Sequence, residues 1–355
     1  MINKFLKSKK RSSILPRRLF IAGLFLSLLL LQACSNIGGE STDAKPGAQT
    51  SATKADTADA KGNVKPVLNF GFIGTNDLNL PGGPEGWGLH KGIIQEELKK
   101  HGITEVKWTG FPNGPDLTES LISGRLDFGS MGDTPSIIAY ASGAKIRLIT
   151  QGSTNSIGYL IGKKDGPKTL SELKGKTIAI QKGSFMHRYV VGLLQDAGIT
   201  DYKLVHMLIP DAKAALARGD VDAMTNNTTQ GALEQIEAGF IRLDDATKHP
   251  HLRGSGTTVA ADEYLASFPD FPKVWNDARK KALADLKQHE EEYYEFIAQL
   301  QGQSVEIVKQ TNPISAIKEE PFTEDGLKLL EGTKDFLVEE KLAKRNFEIN
   351  DWVLK

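Results

Sequence analysis

Residues 111–135 constrain this chain more than any other stretch. They open Phe111-Pro112-Asn113-Gly114-Pro115-Asp116 and close Asp127-Phe128-Gly129-Ser130-Met131-Gly132-Asp133-Thr134-Pro135. The pattern predicts strand, helix, short strand and second helix, each helix entered through Gly, Asn, Asp or Thr followed by Pro. A Pro at the first helical position loses no hydrogen bond, because that N–H has no intrahelical acceptor in any case. The next N–H groups then point out of the helix end at the carboxyl edge of a strand, which is where an α/β protein holds small anions. Pro112, Asp133 and Thr134 are therefore candidate ligand residues. The plainer reading is that Thr134 caps a helix and Gly132 turns the chain.

The amino terminus carries a different message. Lys4, Lys7, Lys9, Lys10, Arg11, Arg17 and Arg18 precede an apolar run over 19–31, and the sequence then reads Leu31-Gln32-Ala33-Cys34. A basic region, a short apolar core and a small residue before the cut make an export signal over 1–33, too short for a membrane span. Cys34 is the only cysteine in the chain. Its place after Ala33 resembles a bacterial lipobox, which would make it the lipidated first residue of an exported, membrane-anchored protein facing the periplasm or the cell exterior. Arg17-Arg18-Leu19-Phe20-Ile21 also looks like a twin-arginine signal.

The whole chain balances 44 basic against 44 acidic residues. Loss of the signal removes seven bases and no acid, and the acidic surplus left behind argues against nucleic acid as a partner. Residues 34–66 hold Ser, Thr, Ala, Gly, Asp and Lys with almost nothing apolar, so they bury too little to offset the entropy of ordering and read as a tether.

The body begins at Val67-Leu68-Asn69-Phe70-Gly71-Phe72-Ile73, a buried-strand pattern. A long Gly/Pro/Asn loop over 74–88 follows and contains Asn76, a further candidate, before a helix over 89–101. Strands over 105–111, 128–131 and 146–151 alternate with helices over 115–123 and 135–142, which predicts parallel pairings with helices on both faces. A second unit repeats the theme: a strand over 158–162, then Gln181-Lys182-Gly183-Ser184 opening a helix over 185–197, with Gly183 and Ser184 as candidates. The glycine spacing of a phosphate-binding P-loop is absent there, and His187 reads as packing or capping. Strands over 204–207 and 222–225 flank a helix over 211–218. The second of these strands runs into Asn226-Asn227-Thr228-Thr229, whose amides and hydroxyls suit neutral hydrogen bonding to an anion or zwitterion or, equally, a solvated turn. After a return strand over 256–261 the chain becomes helical over 272–301, 304–310 and 323–342. His249-Pro250-His251 has no cysteine or acid at ligand spacing, so no metal and no cofactor is expected.

On these residues the chain resembles the substrate-binding proteins of ABC transporters in the sulfonate, nitrate and taurine group. The resemblance spans about 68–272. It rests on Phe111-Pro112-Asn113-Gly114-Pro115, on Leu126-Asp127-Phe128-Gly129 with Gly132-Asp133-Thr134-Pro135, and on Leu173-Lys174-Gly175-Lys176, Gln181-Lys182-Gly183-Ser184 and Arg218-Gly219-Asp220-Val221-Asp222-Ala223. It implies an α/β, two-lobed periplasmic-binding-protein fold of type II, each lobe a mixed sheet flanked by helices, with a helical C-terminal segment. One lobe would comprise 67–152 and 254–355 and the other 153–253, with ligand in the cleft between them. It further implies a monomer that carries a small organic anion or zwitterion to permease and ATPase subunits. Position by position it points to Asp133 and Thr134 in one lobe and Gly183 and Ser184 in the other. Asn226, Asn227 and Thr228 stand where the family commonly has an aromatic residue and a Pro-containing turn, so the second wall is expected to be more polar here. Asp133 could cap its helix or receive a ligand amine. The alternatives are a binding protein for nitrate or a thiamine precursor, or an enzyme on the same scaffold, resembling the thiamine-precursor synthases. Those need a Cys-rich motif and a cytosolic address, against which the lone Cys34 and the export signal speak.

Overall fold

A computed structural model describes residues 64–354; the signal, Cys34 and nearly all of the tether lie outside that range. Within it, two five-stranded sheets are built on one plan. Along the chain the elements are β1 (Val67–Ile73), α1 (Gly83–His90), α2 (Ile93–Lys99), β2 (Glu105–Phe111), α3 (Gly114–Ile122), β3 (Phe128–Gly132), α4 (Asp133–Ala141), β4 (Ile146–Gln151), β5 (Tyr159–Gly162), β6 (Thr177–Ile180) and α5 (Phe185–Asp196). Then come β7 (Lys203–His206), α6 (Ile209–Arg218), β8 (Ala223–Asn226), α7 (Thr229–Glu237), β9 (Ile241–Asp245) and β10 (Gly256–Ala261). Helices α8 (Asp262–Ser267), α9 (Phe271–Gln288), α10 (Glu290–Gln301), α11 (Val305–Thr311), α12 (Glu324–Glu339) and α13 (Ile349–Trp352) complete it.

The first sheet has the order β2-β1-β3-β10-β4 and the second β7-β6-β8-β5-β9. In each, the first three strands are parallel, while the fourth, β10 or β5, runs antiparallel to both neighbours. That fourth strand is the one reached from the other sheet, so each lobe is closed by a strand delivered through a crossing. The two crossings pair with each other: Ser156 N donates to Gly254 O at 3.0 Å and Gly152 N to Gly256 O at 2.9 Å.

Each sheet buries both faces, as parallel strands between helices must. In the first lobe Phe70, Phe128, Phe271 and Trp275 stack under α1, α2, α9 and α10, while Leu117, Ile137, Leu148 and Trp352 fill the face under α3, α4, α12 and α13. In the second, Leu160, Ile178 and Tyr189 pack under α5, and Ile161, Ala215 and Met224 under α6 and α7.

Three local expectations are corrected. The loop after β1 ends at residue 82, because Gly83 starts α1 with Pro84 in its first turn, where a missing N–H costs no helical bond, and the helix takes in Trp87. Trp87 is buried and its Nε1 donates to Asp285 Oδ1 at 2.7 Å, so it belongs to the core. The helix expected over 89–101 is two helices, broken where Gly92 adopts φ 77°, a left-handed conformation that glycine takes without strain. The helix expected over 272–301 breaks at His289, where Glu290, Glu291 and Glu292 supply the acidic first turn that a new helix favours. Among the described residues no helix is long and apolar enough to cross a membrane.

Candidate functional site

A cavity of about 310 Å³ lies between the lobes, at the carboxyl ends of the parallel strands. Each strand end delivers the N-terminus of the helix that follows it. Asn113 and Gly114 bring α3, Gly132 and Pro135 bring α4, Ser184, Phe185 and Met186 bring α5, and Asn227 stands one residue before the cap of α7. Four helix N-termini, two from each lobe, therefore converge on one space, each with a partial positive charge; in α4 the first two N–H groups are already taken, Asp133 N donating to Ser255 O at 2.8 Å and Thr134 N to Asp133 Oδ1 at 2.6 Å.

The caps are made locally. Asn113 Oδ1 accepts from Asp116 N at 2.9 Å, Ser184 Oγ from Met186 N at 3.1 Å, and Thr228 Oγ1 from Gly231 N at 3.1 Å. Capping satisfies the second or third N–H of each helix and leaves the first. The N–H groups of Gly114 and Phe185, both on the cavity wall, have no acceptor among the described residues. The side chains of Gln181, Ser156 and Asn227 are on the wall too, again with no partner among those residues. Phe72, Ile73, Pro81, Met131, Phe185 and Met186 give the rest of the wall an apolar character. Among the described residues the wall holds no Asp, Glu, Lys, Arg, His or Cys. Such a site suits an anion with an apolar body.

Of the residues picked from sequence, Ser184 and Asn227 are on the wall. Ser184 Oγ is already committed, since it donates to Gln181 O at 2.6 Å while accepting from Met186 N. Pro112 is exposed beside the wall, and its neighbours Asn113 and Gly114 form it. Gly183, at φ 77°, closes the lip: a Cβ there would sit 3.4 Å from Pro115 Cγ of the opposite lobe. Asn76 braces its own loop, donating to Leu80 O at 2.8 Å and accepting from Leu80 N at 3.3 Å, which sets Pro81 at the cavity. Asn226 is buried and donates to Gln235 Oε1 at 2.9 Å, while its Oδ1 accepts from Thr228 N and Oγ1. Thr228 is the cap of α7.

Asp133 and Thr134 are both 0% exposed and do not reach the cavity. Asp133 Oδ1 accepts from Thr134 N at 2.6 Å and from Thr134 Oγ1 at 3.0 Å, and Oδ2 accepts from Ser255 N at 2.8 Å. The carboxylate, on the first residue of α4, thus takes up the helix's second N–H and ties α4 to the second crossing, and it is not turned toward a ligand amine. Behind it lies Arg188, which sequence reasoning missed. Burial pushes its pKa down and the Asp133 charge pushes it up. The signal for it was present: Arg188 is the one Lys or Arg in α5 and is followed by Tyr189-Val190-Val191.

His187 is buried off the wall, and its Nδ1 accepts from Gly183 N at 3.2 Å. Burial first, and Lys182 second, hold its pKa below the usual histidine value. The structure does bring an acid to each histidine of the 249–251 segment, with Asp244 Oδ1 3.1 Å from His249 Nε2 and Asp196 Oδ2 2.9 Å from His251 Nε2. Among the described residues no group of three ligating side chains is placed to hold a metal.

The family model described as NMT1/THI5 like matches residues 92–293. A Bacillus subtilis (strain 168) protein named for binding aliphatic sulfonates is 29% identical over 275 residues, 74% of this chain and 80% of its own length. The alkanesulfonate-binding protein SsuA from Xanthomonas axonopodis pv. citri, solved bound to MOPS, superposes with a TM-score of 0.66 at 21% identity, over 82% of this chain and 99% of that one. The desulfurization enzyme DSZB superposes at 0.60 with 16% identity, over 81% of this chain and 96% of its own. Identities this low carry the fold alone: α/β, with two mixed sheets flanked by helices, in the periplasmic-binding-protein arrangement that the sequence motifs imply.

Proposed function

The chain belongs to the NMT1/THI5-like family, and from that premise we propose that it is the exported substrate-binding subunit of an ABC importer, one that captures a small organic anion of the aliphatic sulfonate class and delivers it to a membrane permease with its ATPase. The observation that carries this reading is the convergence of four helix N-termini on an uncharged, half-apolar cavity between the lobes. Fixed dipoles would hold the sulfonate, through the N–H groups of Gly114 and Phe185 and the side chains of Gln181 and Asn227. The apolar residues would cover the aliphatic part. Because Asp133 faces away, the geometry favours an anion with an apolar tail over a zwitterion such as taurine, and over nitrate or a thiamine precursor. A lipid on Cys34 would keep the protein at the membrane, where it would act as a monomer.

Binding is preferred to catalysis because the wall, among the described residues, presents committed caps and amides and no Cys, His or carboxylate to act as nucleophile or base. The test is a thermal-shift screen of the protein against alkanesulfonates, MOPS, taurine, nitrate, sulfate and thiamine precursors. A ligand at a hundred times its dissociation constant stabilises the fold by about 2.7 kcal/mol. A shift with the alkanesulfonates supports the reading; shifts confined to a thiamine precursor, or to none of the panel, would end it.

A further inference from the structure

A buried cation sits where both lobes meet the second crossing, and the binding reading does not use it. Arg188, 1% exposed, lies in the first turn of α5 in the second lobe. Its Nε donates to Thr134 Oγ1 of the first lobe at 3.3 Å. Its Nη1 donates to His251 O at 3.4 Å, and its Nη2 to Leu252 O at 3.5 Å and Arg253 O at 2.7 Å, all on the segment leading into the crossing. The same Nη2 is 3.8 Å from Asp133 Oδ2, which itself accepts from Ser255 N. Every hydrogen bond of the guanidinium leaves its own helix.

This is a poor place for a cation on local grounds. The N-terminal turn of a helix repels positive charge, and burial strips the guanidinium of water. What the position does achieve is junction: one planar group with several donors joins α4, α5 and residues 251–253 at once. Helices α4 and α5 are also two of the four whose N-termini form the cavity, from opposite lobes. Their mutual angle decides whether the helix N-termini of the two lobes face one point.

We propose that Arg188 is a positioning residue for ligand capture, clamping α4 against α5 at the crossing, with Asp133 as its counter-charge, so that the helix N-termini of both lobes face the same ligand. The inference rests on the reading of the cleft as the binding site. It differs from the plainer view that two buried charges merely neutralise each other.

The experiment compares the full-length wild type with Arg188→Met, Arg188→Lys and the double variant Arg188→Met/Asp133→Asn. The double variant leaves no uncompensated buried charge, which guards against an Arg188→Met protein that fails to fold. Two quantities are read: the release rate of pentanesulfonate by stopped flow, and hydrogen exchange of the ligand-free protein in segments 128–141, 183–196 and 247–256. The clamp predicts release roughly five- to a hundredfold faster in the double variant, faster exchange in those three segments, and unchanged exchange over 67–111. Arg188→Lys, a point charge with fewer directed donors, should fall between. Wild-type release and exchange in the double variant would overturn the proposal and leave a self-neutralising pair. If pentanesulfonate does not bind the wild type, the functional reading fails, while the exchange measurement alone still decides the clamp.

Discussion

Lengthening the aliphatic chain of the ligand is the perturbation that tests the cleft most directly. Phe72, Ile73, Pro81, Met131, Phe185 and Met186 give the cavity wall apolar surface alongside the helix ends that would take the sulfonate. Each methylene that moves from water onto that wall contributes about 0.8 kcal/mol. Going from ethanesulfonate to pentanesulfonate adds three methylenes, hence about 2.4 kcal/mol, or roughly a fiftyfold gain in affinity. Taurine tests the polar side of the same argument, because it is ethanesulfonate with an ammonium group added. No carboxylate lines the wall, and Asp133, at 0% exposure, already accepts from Thr134 and Ser255. An ammonium that enters without a partner loses on the order of 1–3 kcal/mol or more, so taurine should bind at least about fivefold more weakly than ethanesulfonate. Isothermal titration of the series from two to five carbons, with taurine alongside, reads both numbers. An affinity that stays flat with chain length, or taurine binding as tightly as pentanesulfonate, would refute the reading of the wall as apolar and uncharged.

Other predictions follow from single residues. Gln181→Ala removes an amide on the wall with no partner among the described residues, so it should weaken sulfonate binding by about 1.5–3 kcal/mol if the amide bonds the charged group, with little change in melting temperature; unaltered affinity would remove Gln181 from the ligand's contacts. Ser184→Ala should act first on the fold, because Ser184 Oγ caps α5, and the expected loss is about 1 kcal/mol in denaturant titration. The pKa of His187 is held below the usual histidine value of about 6.5 by burial and then by Lys182. The unfolded chain therefore takes up the proton first, so the stability due to neutral His187 is whole above about 6.5 and is lost as pH falls through the folded value. Replacing His187 with Asn should flatten the pH dependence of unfolding below neutrality, and an unchanged slope would sink the argument. Cys34→Ala should release the protein from the membrane fraction and abolish the lipid mass increment; retention at the membrane would dispose of the lipobox.

What could be read from the sequence was governed by local chemistry. Strand ends followed by Asn113-Gly114-Pro115, Gly132-Asp133-Thr134-Pro135 and Gly183-Ser184 announce helix entries because capping and the Pro preference act within three or four residues. That is why α3, α4 and α5 and their common outlook were legible. The direction in which each side chain points was not. Asp133 and Thr134 sit at the right turn of the chain, yet the carboxylate swings to Ser255, more than a hundred residues away. Arg188 gains its meaning only from carbonyls at 251–253 and from Thr134, contacts that no window of sequence contains. Strand β9 escaped for another reason: it carries Arg242, Asp244 and Asp245, so its polar pattern concealed pairing to β5 that tertiary context supplies.

The contrast between the charged crossing and the uncharged cavity has a physical logic for a protein that must both capture and release. A sulfonate stays ionised at any physiological pH, so its charge must be met by the site and cannot be neutralised by taking up a proton. A Lys or Arg in the cavity would meet it, but would stand unpaired in the empty protein or recruit a competing carboxylate. Helix N-termini avoid both outcomes. Each offers about half a unit of positive charge that belongs to the backbone, so about two of them already balance a monovalent anion, and none needs a counter-ion when it leaves. The buried cation behind the cleft, Arg188, paired with Asp133, is then available for a different task, and its acceptors at Thr134 and residues 251–253 direct it to the geometry of the lobes instead of the ligand.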